Sequence, residues 1–169
     1  MRVQQRLPLL ARVIAPVLLG AVVAGAALAA PMKIEAVMSP KADSKFEFAD
    51  GSKRFLVAAH REGKATGTGP LDGAAMLEWG MHDVNPATGA IANGYLVFTA
   101  ANGDIAYLKY QFRAVPVPGP QGKPRFVANG FWETTGGTGQ YKGLRGIGTV
   151  DFNPKDRRWI LEGELASAD

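Results

Sequence analysis

The stretch DIAYLKYQFRAV (residues 104–115) alternates its side chains with the two-residue period of a β-strand. One set is apolar or aromatic and consists of Ala106, Leu108, Tyr110 and Phe112. The other set is more polar and consists of Tyr107, Lys109, Gln111 and Arg113. Because successive side chains of a strand point to opposite faces, this pattern predicts a strand with one buried face and one face in water.

Turn signals bound this strand on both sides. Asn102-Gly103 precedes it, and an Asn-Gly pair between two apolar-rich runs predicts a hairpin because both residues tolerate positive φ. The segment that follows, residues 115–124, contains Pro116, Pro118, Gly119, Pro120, Gly122 and Pro124. So many breakers predict a surface loop rather than a strand or a helix.

Further strand-like runs, each next to a turn signal, extend this pattern through the rest of the chain. They cover residues 46–48, 54–60, 75–84, 91–100, 126–135, 141–152 and 157–165. No segment of ten residues beyond the N-terminal region shows a convincing helical period. The sequence therefore predicts an all-β fold, a single antiparallel up-and-down barrel of about eight strands, with a β-sandwich as the alternative.

The N-terminal segment has the features of a secretory signal peptide. Residues 1–29 read MRVQQRLPLLARVIAPVLLGAVVAGAALA, with three arginines before an apolar run and small residues at Ala27 and Ala29. This pattern predicts cleavage near Ala29 and export of a single domain, residues 30–169, to the periplasm or the extracellular space. A retained membrane anchor is the alternative, because the apolar run is nearly long enough to span a bilayer.

Composition excludes several classes of function. The 169 residues include 19 basic and 15 acidic side chains, and three of the basic ones lie in the predicted leader, so the mature chain is nearly neutral. We therefore expect no nucleic-acid partner. No other apolar stretch approaches the ~20 residues of a membrane span, so the mature form should not cross a membrane. The absence of cysteine excludes a thiol nucleophile and a thiolate metal site.

A glycine-rich segment, GFWETTGGTGQYKGLRGIGT (residues 130–149), predicts a second hairpin. The chain must reverse between Trp132 and Tyr141, so we expect positive φ at Gly137 or Gly139. Glycines at 143, 146 and 148 predict a bend or a close approach of two backbones. A phosphate-binding loop is the alternative, but the segment lacks both the Gly-Lys-Ser/Thr ending and a following helix.

This segment resembles the hairpin of small β-barrels in the allene oxide cyclase and dirigent-like superfamily. In those proteins a threonine-and-glycine turn is followed by an aromatic residue and by glycines spaced along the returning strand. The matching positions are Thr135, Gly136, Gly137, Thr138, Gly139, Tyr141, Gly143, Gly146, Gly148 and Thr149. The resemblance implies a barrel and, in the cyclase branch, a cavity that binds an apolar substrate. It supplies no catalytic residue, because the polar groups of those cavities have no matching positions here.

The run from Glu78 to His82 carries two candidate polar groups on one strand face. Leu77, Trp79 and Met81 share the other face, which we expect to be core. Four residues of strand separate Glu78 from His82 by roughly 13 Å, so we expect two solvated side chains out of direct contact unless a ligand bridges them. A metal site that combines His60 and His82 with Asp83 or Glu78 is not favoured by their spacing, and we predict no metal and no cofactor.

We predict that the protein binds a small, mainly apolar ligand, or a partner, in the barrel lumen or at its mouth. The candidate ligand-binding residues are Glu78, His82, Arg113 and Glu133. One alternative is an isomerase or cyclase that acts on an apolar substrate, which is indicated if two or more of these four side chains point into one cavity. Another alternative is a structural or assembly protein of the cell envelope, which is indicated by a solid lumen and an apolar patch outside it.

Overall fold

The computed structural model describes residues 29–166. The predicted signal peptide lies, except for Ala29, outside the described residues and stays a prediction. Within residues 29–166 neither of the two short helical turns is long and apolar enough to cross a membrane.

Eleven β-strands account for most of the described chain. They are β1 Ala30–Val37, β2 Ser39–Pro40, β3 Ser44–Glu47, β4 Phe55–Lys64, β5 Thr66–Thr68, β6 Ala75–Asn85, β7 Gly89–Thr99, β8 Ile105–Val117, β9 Arg125–Gly137, β10 Arg145–Asn153 and β11 Arg158–Ala166. Two turns of 3₁₀-helix, Pro120–Gly122 and Gly139–Tyr141, lie in the connections that flank β9.

All strand pairs are antiparallel, and the sheet follows the order β2-β4-β6-β7-β8-β9-β10-β11-β1-β5, with β3 paired to β4. The sheet curls back on itself, because β5 continues the path of β4 after one residue and pairs with β1. Cross-strand pairs can be followed once around the barrel, through Val57, His82, Ala92, Phe112, Gly130, Val150, Leu161, Ile34 and Gly67. The predicted all-β, up-and-down antiparallel barrel is confirmed, with β4 and β5 together acting as one of eight main strands.

The edge that closes this barrel is paired along both β1 and its continuation, β2. β1 pairs with β5 over three residues, from Lys33 to Glu35. After Met38, β2 continues β1 and pairs with β4 in the same register, with Ser39 opposite Glu62 and Pro40 opposite Arg61, and β3 pairs with the first residues of β4. Strand pairing therefore closes the barrel along this edge, from β5 to the start of β4.

Large side chains fill part of the lumen. The inward set predicted for β8, Ala106, Leu108, Tyr110 and Phe112, is buried, which confirms the alternation read from the sequence. Trp132 and Trp159 pack beside them, both fully buried. A Cβ on Gly148 would overlap the backbone carbonyl oxygen of Glu162 and lie 2.6 Å from the Trp132 ring, so the close backbone approach predicted for this glycine is also confirmed.

The glycine-rich hairpin forms as predicted. β9 and β10 pair antiparallel, with Glu133 opposite Ile147, and Gly139 at the turn has φ +50°. This confirms the prediction of positive φ at Gly137 or Gly139.

Several details of the strand assignment are wrong. Residues 115–117, which belong to the predicted surface loop, extend β8 and pair with β9, and β10 begins at Arg145 rather than at residue 141. The sequence reading missed β1, although Met32, Ile34 and Ala36 are buried and alternate with Lys33 and Glu35. The run at residues 46–48 does not form a main strand: Phe46 and Glu47 are the end of β3, whose four residues pair with β4 alone. β1 is the eighth strand because its alternating apolar side chains complete the core, whereas every residue of β3 is exposed.

Candidate functional site

The inner face of β6 is the reverse of the one expected. Glu78 is 0% and His82 7% exposed, whereas Trp79 is 53% exposed and Met81 is exposed as well. The register of the sheet explains this, because Gly80 lies opposite Gly94, which in turn lies opposite the inward-facing Tyr110. Residues in one such row share a face, so Glu78, Gly80 and His82 point into the lumen. The prediction that Trp79 belongs to the core is wrong.

Glu78 and His82 touch, contrary to the expected separation. His82 Nε2 lies 2.7 Å from Glu78 Oε1, and since a carboxylate oxygen accepts, the imidazole donates. The expected ~13 Å describes the backbone rise over four residues; both side chains are long and lean toward each other across Gly80, which has no side chain. The prediction of two solvated, separated side chains is therefore wrong.

Tyr110, on β8, forms a buried cluster with Glu78 and His82. Its hydroxyl donates to Glu78 Oε1 at 2.5 Å and lies 3.3 Å from His82 Nε2. Burial, together with the charge of Glu78, raises the pKa of Tyr110 far above its usual value, so the hydroxyl keeps its proton and remains a donor. Gly80 is required here, because a Cβ at that position would overlap the Tyr110 hydroxyl oxygen.

Arg61, on β4 opposite Glu78, balances the charge of this carboxylate. Arg61 Nη1 lies 3.6 Å from Glu78 Oε2, an oxygen that has no hydrogen-bond partner among the described residues. Arg61 Nε and Nη2 donate to Asp43 Oδ2 at 3.1 and 3.0 Å. The arginine is thus held between two carboxylates, and its side chain is only 15% exposed.

An apolar cavity of about 330 Å³ lies at one end of the barrel. Its apolar lining residues are Pro40, Phe55, Val57, Val84, Ala90, Ala92, Phe112, Ala114, Phe126, Ala128, Phe152 and Pro154. The polar lining residues are His82, Arg61 and Arg157. Arg157 and Phe126 are exposed at the mouth, whereas His82 is buried and backed by Glu78 and Tyr110. The cavity therefore has an apolar wall and a polar inner end.

Of the four candidate residues, the structure brings together Glu78 and His82 only. Arg113 is exposed, between the inward-facing Phe112 and Ala114, so it points outward from β8. Glu133 lies opposite the exposed Lys109 and next to the inward-facing Trp132, so it also belongs to the outer face. His82 alone of the four lines the cavity, with Glu78 directly behind it.

Sequence reasoning missed two members of this site. Tyr110 was assigned to the inner face of β8, but nothing in its own strand indicates that its hydroxyl meets Glu78, 32 positions away. Arg61 lay just beyond the run read as a strand, and no local signal distinguishes it from a solvated arginine.

The two histidines do not form a common site. His60 lies opposite Trp79 on the outer face, and its ring stacks on the indole with 4.0 Å between centroids. In the part of the chain that the structure describes, no three His, Cys, Asp or Glu side chains are grouped as metal ligands would be.

Comparison with protein-family models, with curated proteins and with solved structures finds no match to this chain. The resemblance of residues 130–149 to the allene oxide cyclase and dirigent-like barrels therefore stays a prediction.

Proposed function

We propose that this protein binds a small, mainly apolar molecule in the cavity at one end of its barrel. The observation that carries the proposal is the cavity itself, about 330 Å³ with an almost wholly apolar wall and an imidazole at its inner end. Ligand sites in proteins typically occupy about 300–1,000 Å³ and combine apolar walls with a few convergent polar groups.

The arrangement of the lining supports one orientation of the ligand. Burial of apolar area contributes about 25 cal/mol per Å², so the apolar body of a ligand is stabilised along the whole wall. A polar group on the same molecule is best placed at the inner end, where His82 and Arg61 are the available partners. The resemblance of the glycine-rich hairpin to barrels with a substrate cavity points in the same direction.

The proposal is tested by titrating the purified chain with the neutral, apolar dye N-phenyl-1-naphthylamine. We expect saturable fluorescence enhancement and a shift of the emission to shorter wavelength as the dye leaves water. Ala114→Phe adds a ring to the cavity wall and should weaken dye binding at least tenfold.

The matched control is Ala58→Phe, the same substitution at an exposed position of β4 on the outer face. It should leave dye affinity unchanged. No saturable binding by the unmutated chain, or equal effects of the two substitutions, would refute a ligand site in the cavity.

An assembly role is a second candidate, because large apolar side chains remain on the outer face of the barrel. Trp79, Met81, Ile91, Tyr95 and Phe131 are all 43% or more exposed. Such a surface is typical of sites that another protein covers. Sedimentation velocity over a range of concentrations tests this role, and a monomer at every concentration would count against self-assembly through this face.

A further inference from the structure

We propose that the cavity is also catalytic, with His82 as a general acid–base that moves a proton on an apolar ketone. This inference rests on the proposed function, because it requires a molecule bound in the cavity. It goes beyond it by assigning a reaction, proton abstraction next to a carbonyl, and by naming the substrate class.

The hydrogen bonds of His82 leave one ring nitrogen for a ligand. Among the described residues both partners of the ring, Glu78 Oε1 and the Tyr110 hydroxyl, lie at Nε2. A proton on Nε2, donated to the carboxylate, makes Nδ1 the acceptor nitrogen of the neutral imidazole. His82 lines the cavity, whereas its partners Glu78 and Tyr110 do not, so this acceptor belongs to the member of the three that a ligand can reach.

Glu78 is the positioning residue behind this base. It is completely buried and fixes the orientation of the ring through the 2.7 Å bond to Nε2. Its charge stabilises the imidazolium that forms when Nδ1 takes a proton, which is how a carboxylate assists a catalytic histidine. Tyr110, on β8, donates to the same carboxylate oxygen at 2.5 Å, so the carboxylate is fixed by groups from two strands.

Arg61 supplies the complementary charge for the substrate oxygen. Its Nε and Nη2 are engaged by Asp43, but Nη1 stands 3.6 Å from Glu78 Oε2, beyond hydrogen-bond distance. The Nη1 protons are therefore available to an oxygen in the cavity that Arg61 and His82 both line. Groups of this kind, aimed at the position where negative charge develops, usually make the largest contribution to catalysis.

The reaction balances without an oxidant or a reductant. His82 Nδ1 takes the proton from the carbon next to the carbonyl, the C–H electron pair forms a C=C bond, and the carbonyl π pair moves onto oxygen as an enolate. Arg61 stabilises that oxygen. The imidazolium then returns a proton to the same carbon, which is exchange, or to the far end of a neighbouring double bond, which is isomerisation.

The charged and titratable groups around His82 come from three strands. They are Glu78 on β6, Tyr110 on β8 and Arg61 on β4, with Asp43 behind the arginine and Arg157 at the cavity mouth. The pH dependence of the reaction therefore reflects all of these groups together. Variants of His82 and Glu78 separate the role of the base from that of the positioning residue.

The test uses the full chain with 2-decalone in D₂O and follows deuterium incorporation next to the carbonyl by mass spectrometry. We expect exchange well above the buffer rate, together with displacement of N-phenyl-1-naphthylamine by the ketone. His82→Gln keeps a side-chain amide in place of the ring and should reduce the enzymatic exchange at least 100-fold, as expected for loss of a general base. The matched control, His60→Gln on the outer face, should exchange like the unmutated chain.

Glu78→Gln tests the positioning role and also serves if His82→Gln fails to fold. It preserves shape and can still accept from Tyr110, so dye and ketone affinity should stay unchanged while the exchange rate falls at least tenfold. A merely structural role of Glu78 would change affinity and rate together.

The outcomes separate the two proposals. Dye that does not bind at all refutes the proposed function. Dye that binds and is displaced by 2-decalone without any enzymatic exchange overturns the catalytic inference alone. Failure of 2-decalone to displace the dye, or full exchange by His82→Gln, also overturns it.

Discussion

Replacing Gly80 by alanine should destabilise the protein through a single atom, the Tyr110 hydroxyl oxygen. A Cβ at position 80 would overlap that oxygen, whereas every other heavy atom stays 3.1 Å or more away. The Tyr110 ring therefore has to move. When it moves, its hydroxyl loses the 2.5 Å hydrogen bond to Glu78, a carboxylate with no exposure to water.

Two contributions determine how much stability Gly80→Ala should lose. Added atoms in a packed core cost about 1–3 kcal/mol, and a hydrogen bond to a charged group is worth about 1.5–3 kcal/mol. We therefore expect Gly80→Ala to lower the free energy of unfolding by about 3 kcal/mol. Tyr110→Phe alone removes the hydroxyl and should cost about 2 kcal/mol. In the Tyr110→Phe background the overlap is gone, so adding Gly80→Ala should cost less than about 1 kcal/mol.

The assay is equilibrium unfolding in urea, followed by the fluorescence of the buried Trp132 and Trp159, for both single variants and the double variant. The coupling between positions 80 and 110 should be about 2 kcal/mol, within the range seen for residues in contact. The control is Gly136→Ala, since a Cβ there meets nothing within 4 Å. A cost of Gly80→Ala that is the same with and without the Tyr110 hydroxyl would refute the reasoning.

Three further predictions address the core, the hairpin and the leader. Trp132→Ala should lower the free energy of unfolding by about 3–5 kcal/mol, whereas Trp79→Ala, which truncates a half-exposed side chain, should cost about 1 kcal/mol or less; equal costs in urea unfolding would contradict the burial. Gly139→Val should cost about 2 kcal/mol because φ there is +50°, and a fully stable variant that loses dye binding would make the hairpin a ligand-binding element. Mass spectrometry of the protein from the extracytoplasmic fraction should find the N-terminus at or next to Ala30, and an intact Met1 would contradict cleavage.

Local patterns in the sequence were sufficient for most of the fold. The Asn102-Gly103 turn joins β7 to β8, with Thr99 opposite Ile105, as its turn chemistry predicts. The alternation in β8 identified the inner face, because four apolar side chains there face four more polar ones. Both signals arise from residues that are close together in the sequence, so a sequence pattern can show them.

The inner face of β6 could not be read in this way. Judged by hydrophobicity, the face with Trp79 and Met81 is the core, and the face with Glu78 and His82 belongs in water. The pairing of β6 with β7, and of β7 with β8, shows the opposite. It places Gly80 on the inner face, where the Tyr110 hydroxyl fills the space that a side chain would take.

The sequence alone therefore determined the strand content, the main turns and the barrel, because these follow from backbone preferences and two-residue periodicity. Only the tertiary structure decided that Glu78 and His82 form a buried pair at the inner end of a cavity. The physical reason is that burying a carboxylate is unfavourable unless a hydrogen-bond donor and an opposite charge accompany it. Here the partners are Tyr110 and Arg61, which other strands supply from 32 and 17 positions away and which no local pattern reveals.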